Sequence, residues 1–459
     1  MMAAVYIPFF YVEDYALDLS IDQDTSFYLL SIMNATSLIG RIGSNWLADR
    51  RLLTTTAPLA TPKTKTKPQR SLPASYYRGG TSRAVFFNAT DLPADASTHP
   101  AIYRAVLGSP DAAHRRQLDG MGGGISSLSK ICIIQGDSTH PAADVDYTFV
   151  SVGVVDDKVD LTSNCGNMSA AVGPFAVDAG LVRAPRVKGD QATVKIHNTN
   201  TGKIIHSTFP VVESASGSEK GEGPEYEAAT SGDFAIDGVA GTAARVQLDF
   251  VDPAGSVTGK LLPTGNAVDV FEVEGEVEAT CIDVANPCVF VSAAKLRVQS
   301  NLTPEELTAD VGLLDKLDRI RRLAGVKMGI AASPEKVPGS IPKIALVAAP
   351  GEDARSVAKG QTPQKVDLVA RALSVGQPHK ALPITVALAL ATAARVEGST
   401  VSQVVKRGQT VDAAGITIGH ASGNMLVGAE FAEDGSLQSG RVFSTARRLF
   451  EGRVFWKDE

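Results

Sequence analysis

"LTSNCGNMSAAVGPFAVDAGL" (Leu161–Leu181) is the stretch on which the reading of this chain turns. Cys165 stands between Asn164 and Gly166-Asn167, and a run of small and apolar residues follows as far as Gly180. That spacing predicts a buried helix with the thiol at its first turn. Packing alone is one explanation, since free cysteine is among the most buried residue types. Chemistry is the other, because the positive end of a helix favours a thiolate and makes Cys165 an acid or a base.

The bulk properties narrow the choice. A chain of 459 residues is too long for one ordinary core, so at least two domains are expected. With 44% hydrophobic and 20% charged residues it is globular, and a net charge of −6 gives no reason to expect nucleic acid or an anionic membrane as partner. The four cysteines (Cys132, Cys165, Cys281, Cys288) show no metal-ligand spacing with histidine, so no metal is expected. Cys281 and Cys288 lie in a strand-like run and read as buried thiols. A reducing, cytoplasmic setting fits, ahead of a mitochondrial one.

The beginning of the chain differs from the rest. "SFYLLSIMNATSLIGRIGSNWLADR" (Ser26–Arg50) approaches the ~20 apolar residues of a spanning helix. Arg41 interrupts it, and Glu13, Asp14, Asp18, Asp22 and Asp24 precede it, which suits neither a mitochondrial presequence nor a signal peptide. Its ending resembles the loop after a transmembrane helix in fungal monocarboxylate-type transporters of the major facilitator family. Residues 1–53 are therefore read as a transporter-like remnant or extension. "TTTAPLATPKTKTKPQR" (54–70) reads as a disordered linker, and the folded body begins near Ser71.

From there short strands alternate with Gly-rich turns. Asn200-Thr201-Gly202 predicts a hairpin between two β-rich runs, residues 214–233 an exposed loop, and "ARVQLDFV" onward a second β-rich block. Thr303–Gly325 predicts a helix opened by a capping box of Thr303 and Glu306 with Pro304 between. "PITVALALATAARVEG" (Pro383–Gly398) is apolar nearly all round, which predicts a buried helix.

Three Gly-rich stretches are candidates for chemistry. "YRGGTSR" (Tyr77–Arg83) is either a carboxylate site, with Arg78 offering a bidentate fork beside the amides of Gly79, Gly80, Thr81 and Ser82, or a tight turn between strands. "GMGGGISSLSK" (Gly120–Lys130) matches neither phosphate-loop pattern. Its Lys130 enters the apolar strand "ICII" as a solvated end or, if buried, as a usable base. In "GHASGN" (Gly419–Asn424), His420 is a ligand, an acid or a satisfied polar residue. "CGNM" at 165–168 and "SGNM" at 422–425 form an echo that two half-sites across a cleft would explain.

"RGGTSRAVFF", "DGMGGGISSLSKICII", "NCGNMSAAVGPFAV", "GKLLPTGN", "IDVANPCVFV" and "GHASGNM" together resemble the 2-methylaconitate cis-trans isomerase family. That family includes aconitate Δ-isomerases and shares the diaminopimelate epimerase fold. The resemblance implies an α+β protein of two pseudo-symmetric domains, each a curled β-sheet around a central helix, with the active site in the cleft between them. The expected boundaries are 71–245 for the first domain, with 443–459 returning to it, and 246–442 for the second. It also implies that Lys130 is the base, that Cys165 lies beside it, and that no cofactor is used. Arg83 departs from the lysine expected there, which keeps the charge but changes the geometry.

An isomerase of this kind removes a weakly acidic allylic proton and lets the charge spread into the substrate's own carboxylate. It needs carboxylate anchors, a base near neutrality and donors where charge develops. Arg78 to Ser82 would anchor one carboxylate, and helix starts at Gly166-Asn167 and Gly423-Asn424 the others. Ser126, Ser127, Asn164, Lys260, His420 and Ser422 complete the expected substrate contacts. The substrate is a small di- or tricarboxylate of the cis-aconitate or 2-methylaconitate type, or a related alkyl-substituted or oxo acid. A homodimer is the assembly this reading allows. The competing class is a binding protein that keeps the anion cleft without turnover.

Overall fold

A computed structural model describes residues 68–457 except 183–184, 215–225, 300, 351–364, 406–409 and 413–414. The transporter-like leader, and the linker up to residue 67, lie outside the described residues. Among the described residues the body is β-rich, with nineteen strands and five α-helices. None of these helices is long and apolar enough to cross a membrane.

In chain order the first strands are β1 (Arg70–Gly79), β2 (Ser82–Asn88), β3 (Lys130–Gly136), β4 (Val145–Val152) and β5 (Val159–Asp160). Then come β6 (Arg186–Lys188), β7 (Gln191–Asn198), β8 (Lys203–Glu213), β9 (Tyr226–Ala228) and β10 (Arg245–Val251). The later strands are β11 (Asp269–Glu272), β12 (Glu276–Val284), β13 (Asn286–Ser292), β14 (Lys343–Ala348) and β15 (Leu368–Ser374). The last are β16 (Gln377–Pro378), β17 (Ile416–His420), β18 (Gly423–Phe431) and β19 (Leu437–Trp456). The helices are α1 (His99–Leu107), α2 (Gly166–Asp178), α3 (Pro304–Ala309), α4 (Val311–Lys327) and α5 (Ile384–Ala393).

Eight of these strands close a circuit in the order β1, β2, β3, β4, β7, β8, β10, β19 and back to β1. Two of its pairings, β2 with β3 and β4 with β7, are parallel. A second series repeats the pattern: β12, β13, β14, β15, β17, β18, β19, with β13–β14 and β15–β17 parallel. A bridge between Ala254, just past β10, and Val284 of β12 brings its ends together. The boundary expected after residue 245 falls at the first residue of β10, a strand that pairs within the first circuit.

The helix α2 packs against β1, β2, β3, β7, β8, β10 and β19, and all but its last residue are buried. Its sequence allows this: Ala170, Ala171 and Gly173 let strands approach closely, and no face is polar. Pro174 inside the helix gives up one backbone bond, a loss that burial on every side offsets. The second apolar helix, α5, is buried at every residue and packs against β12, β13, β18 and β19. Truncating a fully buried leucine such as Leu390 to Ala costs about 2–5 kcal/mol.

The remaining helices lie outside these circuits. Leu313, Leu317 and Ile320 of α4 share a core with Val289, Val291 and Leu346. The helix expected over Thr303–Gly325 is broken at Asp310 (φ −87°, ψ 79°), whose carboxylate accepts from Leu313 N at 2.9 Å and starts α4. The capping box at Thr303 and Glu306 is present, with bonds of 2.8 and 3.1 Å. Of the loop expected over 214–233, residues 215–225 lie outside the described set and Tyr226–Ala228 form β9 against β8. The predicted hairpin at Asn200-Thr201-Gly202 joins β7 to β8. Cys281 and Cys288 are buried; burial drives the Cys281 thiol pKa up and that of Cys288 to about 12.

Candidate active site

Cys165 is the N-cap of α2, with extended backbone (φ −109°, ψ 95°), and its carbonyl accepts from Ser169 N at 3.0 Å. Its thiol caps no backbone N–H, so the first-turn donors face the cleft uncapped by a side chain. Gly166 is required here by the second helix: a Cβ would lie 2.8 Å from Ile384 Cβ, so the starts of α2 and α5 abut. Asn286, the first residue of β13, joins them. It exchanges two hydrogen bonds with the backbone of Asn164 (3.0 and 2.6 Å) and donates to Thr385 Oγ1 at 3.3 Å.

One cleft gathers Lys130, Cys165, Ser82, Ser126, Asn164, Gly166 and Asn167 from the first circuit. From the second series come Lys343, Ser374, His379, Pro383 and Thr385. Lys130 opens β3, is buried, and holds its Nζ 5.0 Å from the centroid of the Phe149 ring. The ring face stabilises a cation there. Lys343 opens β14 and is buried too, and burial lowers its pKa. His379 has its pKa lowered to about 3, by burial first and then by the charges of Lys130 and Lys343. Its imidazole is therefore neutral at physiological pH, and its Nε2 is buried without a hydrogen-bond partner among the described residues. Among the described residues no Asp or Glu lines the cleft, which leaves it cationic within a chain of net charge −6. Such a lining attracts a multiply charged anion.

The other expected contacts fall elsewhere. Arg78 lines a different cavity and is a staple: its Nη1 donates to Gly80 O (3.0 Å), Thr445 O (3.1 Å) and Thr445 Oγ1 (2.9 Å), tying β1 to β19. Gly79 lets β1 approach α2, since a Cβ would lie 2.5 Å from Asn167 O. Gly80, Thr81, His420 and Asn424 line another cavity, which shares Asn167 with the cleft. Asn167 Nδ2 donates to Thr81 Oγ1 at 3.2 Å. Ser127 is half-buried beside the cleft, and Lys260 is exposed on the loop after β10.

The echo at Ser422 is corrected by the fold. Gly423 and Asn424 begin strand β18, not a helix: His420 and Gly423 pair across a two-residue turn of Ala421 and Ser422. Ser422 Oγ donates to Lys380 O at 2.8 Å, and Asn424 N donates to Asp237 Oδ2 at 2.5 Å. The helix start that meets α2 is Pro383-Ile384-Thr385, which does not repeat the Cys165-Gly166-Asn167-Met168 pattern. Lys343, His379, Asn286 and Thr385 escaped the sequence reading. Lys343 alone carried a local signal, a lysine set immediately before an apolar strand, as at Lys130.

Among the described residues no group of three or more His, Cys, Asp or Glu is placed to hold a metal ion. The arrangement sets two helix starts beside two lysines and a thiol, a setting whose chemistry suits an anion.

Comparison with known proteins agrees with this chemistry. The 3-methylitaconate isomerase of Eubacterium barkeri is 40% identical over 394 residues, covering 84% of this chain and 97% of the relative. The 2-methyl-aconitate isomerase of Cupriavidus necator is 37% identical over 402 residues, with 84% and 97% covered. A crystal structure of methylitaconate Δ-isomerase superposes with a TM-score of 0.66 at 39% identity, over 85% of this chain and 96% of that one. Residues 69–457 match the model of the PrpF protein family, and the chain belongs to that family.

Proposed function

We propose that this protein is an isomerase of unsaturated carboxylic acids that shifts or reorients a double bond by allylic proton transfer. The observation that carries this is the cleft itself: Lys130 at the start of β3 and Cys165 at the start of α2 share a cationic lining that holds no carboxylate among the described residues. The uncapped N–H groups of Gly166 and Asn167 hold a substrate carboxylate. Lys130 exchanges a proton with the allylic system, and charge developing in the transition state spreads into that carboxylate. Cys165 shapes the pocket beside the reacting carbons. The substrate is a tricarboxylate of the cis-aconitate or 2-methylaconitate type. A related alkyl-substituted or oxo acid fits the same lining.

The repeated strand order supports a reading of the body as two pseudo-symmetric domains of the diaminopimelate-epimerase kind, each built around one buried helix. Proton NMR of cis-aconitate and 2-methylaconitate with the protein in D₂O tests the function. Conversion with deuterium entering an allylic carbon, lost in Lys130→Ala, is the expected result. Tight binding of both acids without conversion or exchange would make the protein a carboxylate binder instead.

A further inference from the structure

The Gly-rich stretch Gly120–Gly124 stands outside the cleft's lining, and the reaction leaves it without a task. In the fold it walls in the side chain of Gln117. Gln117 is 1% exposed, although Arg116 and Leu118 on either side of it are exposed. A Cβ on Gly122 would stand 2.4 Å from Gln117 Oε1, so a glycine there leaves room for the amide. That amide is bonded at both ends. Its Nε2 donates to Ser109 Oγ at 2.7 Å, while Oε1 accepts from Gly124 N at 2.9 Å and from Ser129 Oγ at 2.6 Å.

The backbone of Gln117 is left-handed (φ 54°), a conformation that disfavours residues other than glycine and, to a lesser degree, asparagine. The carboxylate of Asp111 holds it there, accepting from Gln117 N and Arg116 N, both at 2.9 Å, and from His114 N at 3.0 Å. Strain of this kind persists where the surroundings over-determine it, and it gathers at functional sites. The target of the strained side chain is Ser129, which is fully buried and directly precedes Lys130. Ser129 O accepts from Val152 N at 3.3 Å, so its backbone is tied to β4 while its hydroxyl is tied to Gln117 and to Ile125 O (2.9 Å). The next residue opens β3 and enters the cleft.

We propose that Gln117 is a positioning residue for Lys130: its amide locks Ser129, and Ser129 sets the direction in which the lysine enters the cleft. This rests on the isomerase reading above. Proton transfer needs the Lys130 amine aligned with the allylic carbon, and a misplacement of about 1 Å costs on the order of 10²-fold in rate. Gln117 itself stands outside the lining, so loosening its clasp slows turnover and leaves substrate binding in place.

The test uses the full chain, with 2-methylaconitate and cis-aconitate as substrates. Gln117→Asn keeps an amide and suits the left-handed backbone, but it is one carbon too short for Ser129. Gln117→Gly relieves the backbone and carries no side chain. Both should fold, with kcat down roughly 10–10²-fold and KM within about twofold of wild type. Ser129→Ala should lose a similar factor, and combining it with Gln117→Asn should cost little more, because both break the same contact. Hydrogen exchange at residues 129–131, read without substrate, should speed up in the variants while β19 stays unchanged. A folded Gln117→Asn with wild-type kcat would overturn the proposal. So would a KM that rises as far as kcat falls, additive losses in the double variant, or unchanged exchange at residues 129–131. Wild-type protein inert toward both acids sinks the isomerase reading itself, a failure that the exchange measurement keeps distinct from a failure of the clasp.

Discussion

Asn286 Oδ1 accepts from Asn164 N, and Asn286 Nδ2 donates back to Asn164 O, so one buried side chain of β13 fixes the residue that precedes Cys165. The same amide reaches Thr385 at the start of α5. Asn286→Ala leaves both Asn164 backbone groups without their partners. The expected cost is about 1–3 kcal/mol for each buried group left unsatisfied. Urea unfolding reads that loss, and kcat should fall together with stability because both helix starts shift. A variant with unchanged unfolding midpoint would show that water replaces the clasp.

Gly166→Ala tests the close approach of the two helices. Its Cβ would meet Ile384 Cβ at 2.8 Å, too close for any rotamer change to relieve. Overpacking of this kind costs about 1–3 kcal/mol. A lower melting temperature with a raised KM is expected, since the donors of the α2 start move away from the substrate.

Arg78 is expected to matter for stability and not for binding. Arg78→Ala removes three bonds at the end of β1, one to Gly80 and two to Thr445, with two of the three acceptors backbone carbonyls. A loss of about 1–2 kcal/mol follows from the unsatisfied carbonyls. KM for the acid should stay within about twofold, since binding that is kept leaves KM unchanged. A tenfold rise in KM at unchanged melting temperature would place Arg78 on the substrate after all.

His420 should make the fold acid-sensitive. Burial, ahead of the nearby Arg371 charge, lowers its pKa from 6.5 to about 4. The folded state thus binds fewer protons than the unfolded chain between these values. Stability therefore falls as pH drops from about 6.5 toward about 4 and is flat above this range. His420→Asn should make that limb shallower and leave the share of His379, whose pKa burial lowers to about 3, which denaturant titrations at pH 4.5 and 7.5 would show. An unchanged slope would mean that other groups carry the acid limb.

Much of this was legible in the chain. The Cys165 helix and the apolar helix after Pro383 carried their burial in their composition, because a helix without a polar face has to be enclosed. Lys130 announced itself by standing against four apolar residues. The second side of the cleft was harder to read. Short matches mislead there: Ser422-Gly423-Asn424-Met425 copies the residues around Cys165 but lies in a hairpin, because β17 and β18 pair across it. Thr385 and Asn286 meet Cys165's neighbours only through strand order, and pairing between distant strands leaves no local mark. Arg78 looked like an anion fork because its type is right. Its actual partners, Gly80 and Thr445, include one more than 360 residues away.

The longest strand has a consequence for how the protein is made. β19 is paired with β18, β10 and β1 in turn, and Arg453 bonds Ser71 across 382 residues of chain. Neither strand series is complete until β19 has been synthesised, which at about 5–20 residues per second puts closure roughly 20–80 s after β1 leaves the ribosome. Throughout that interval β1 presents an unpaired edge, and β10 adds another once it has been made, the kind of surface on which nascent chains aggregate. Refolding yield should thus depend on chaperone supply far more than the stability of the finished protein does.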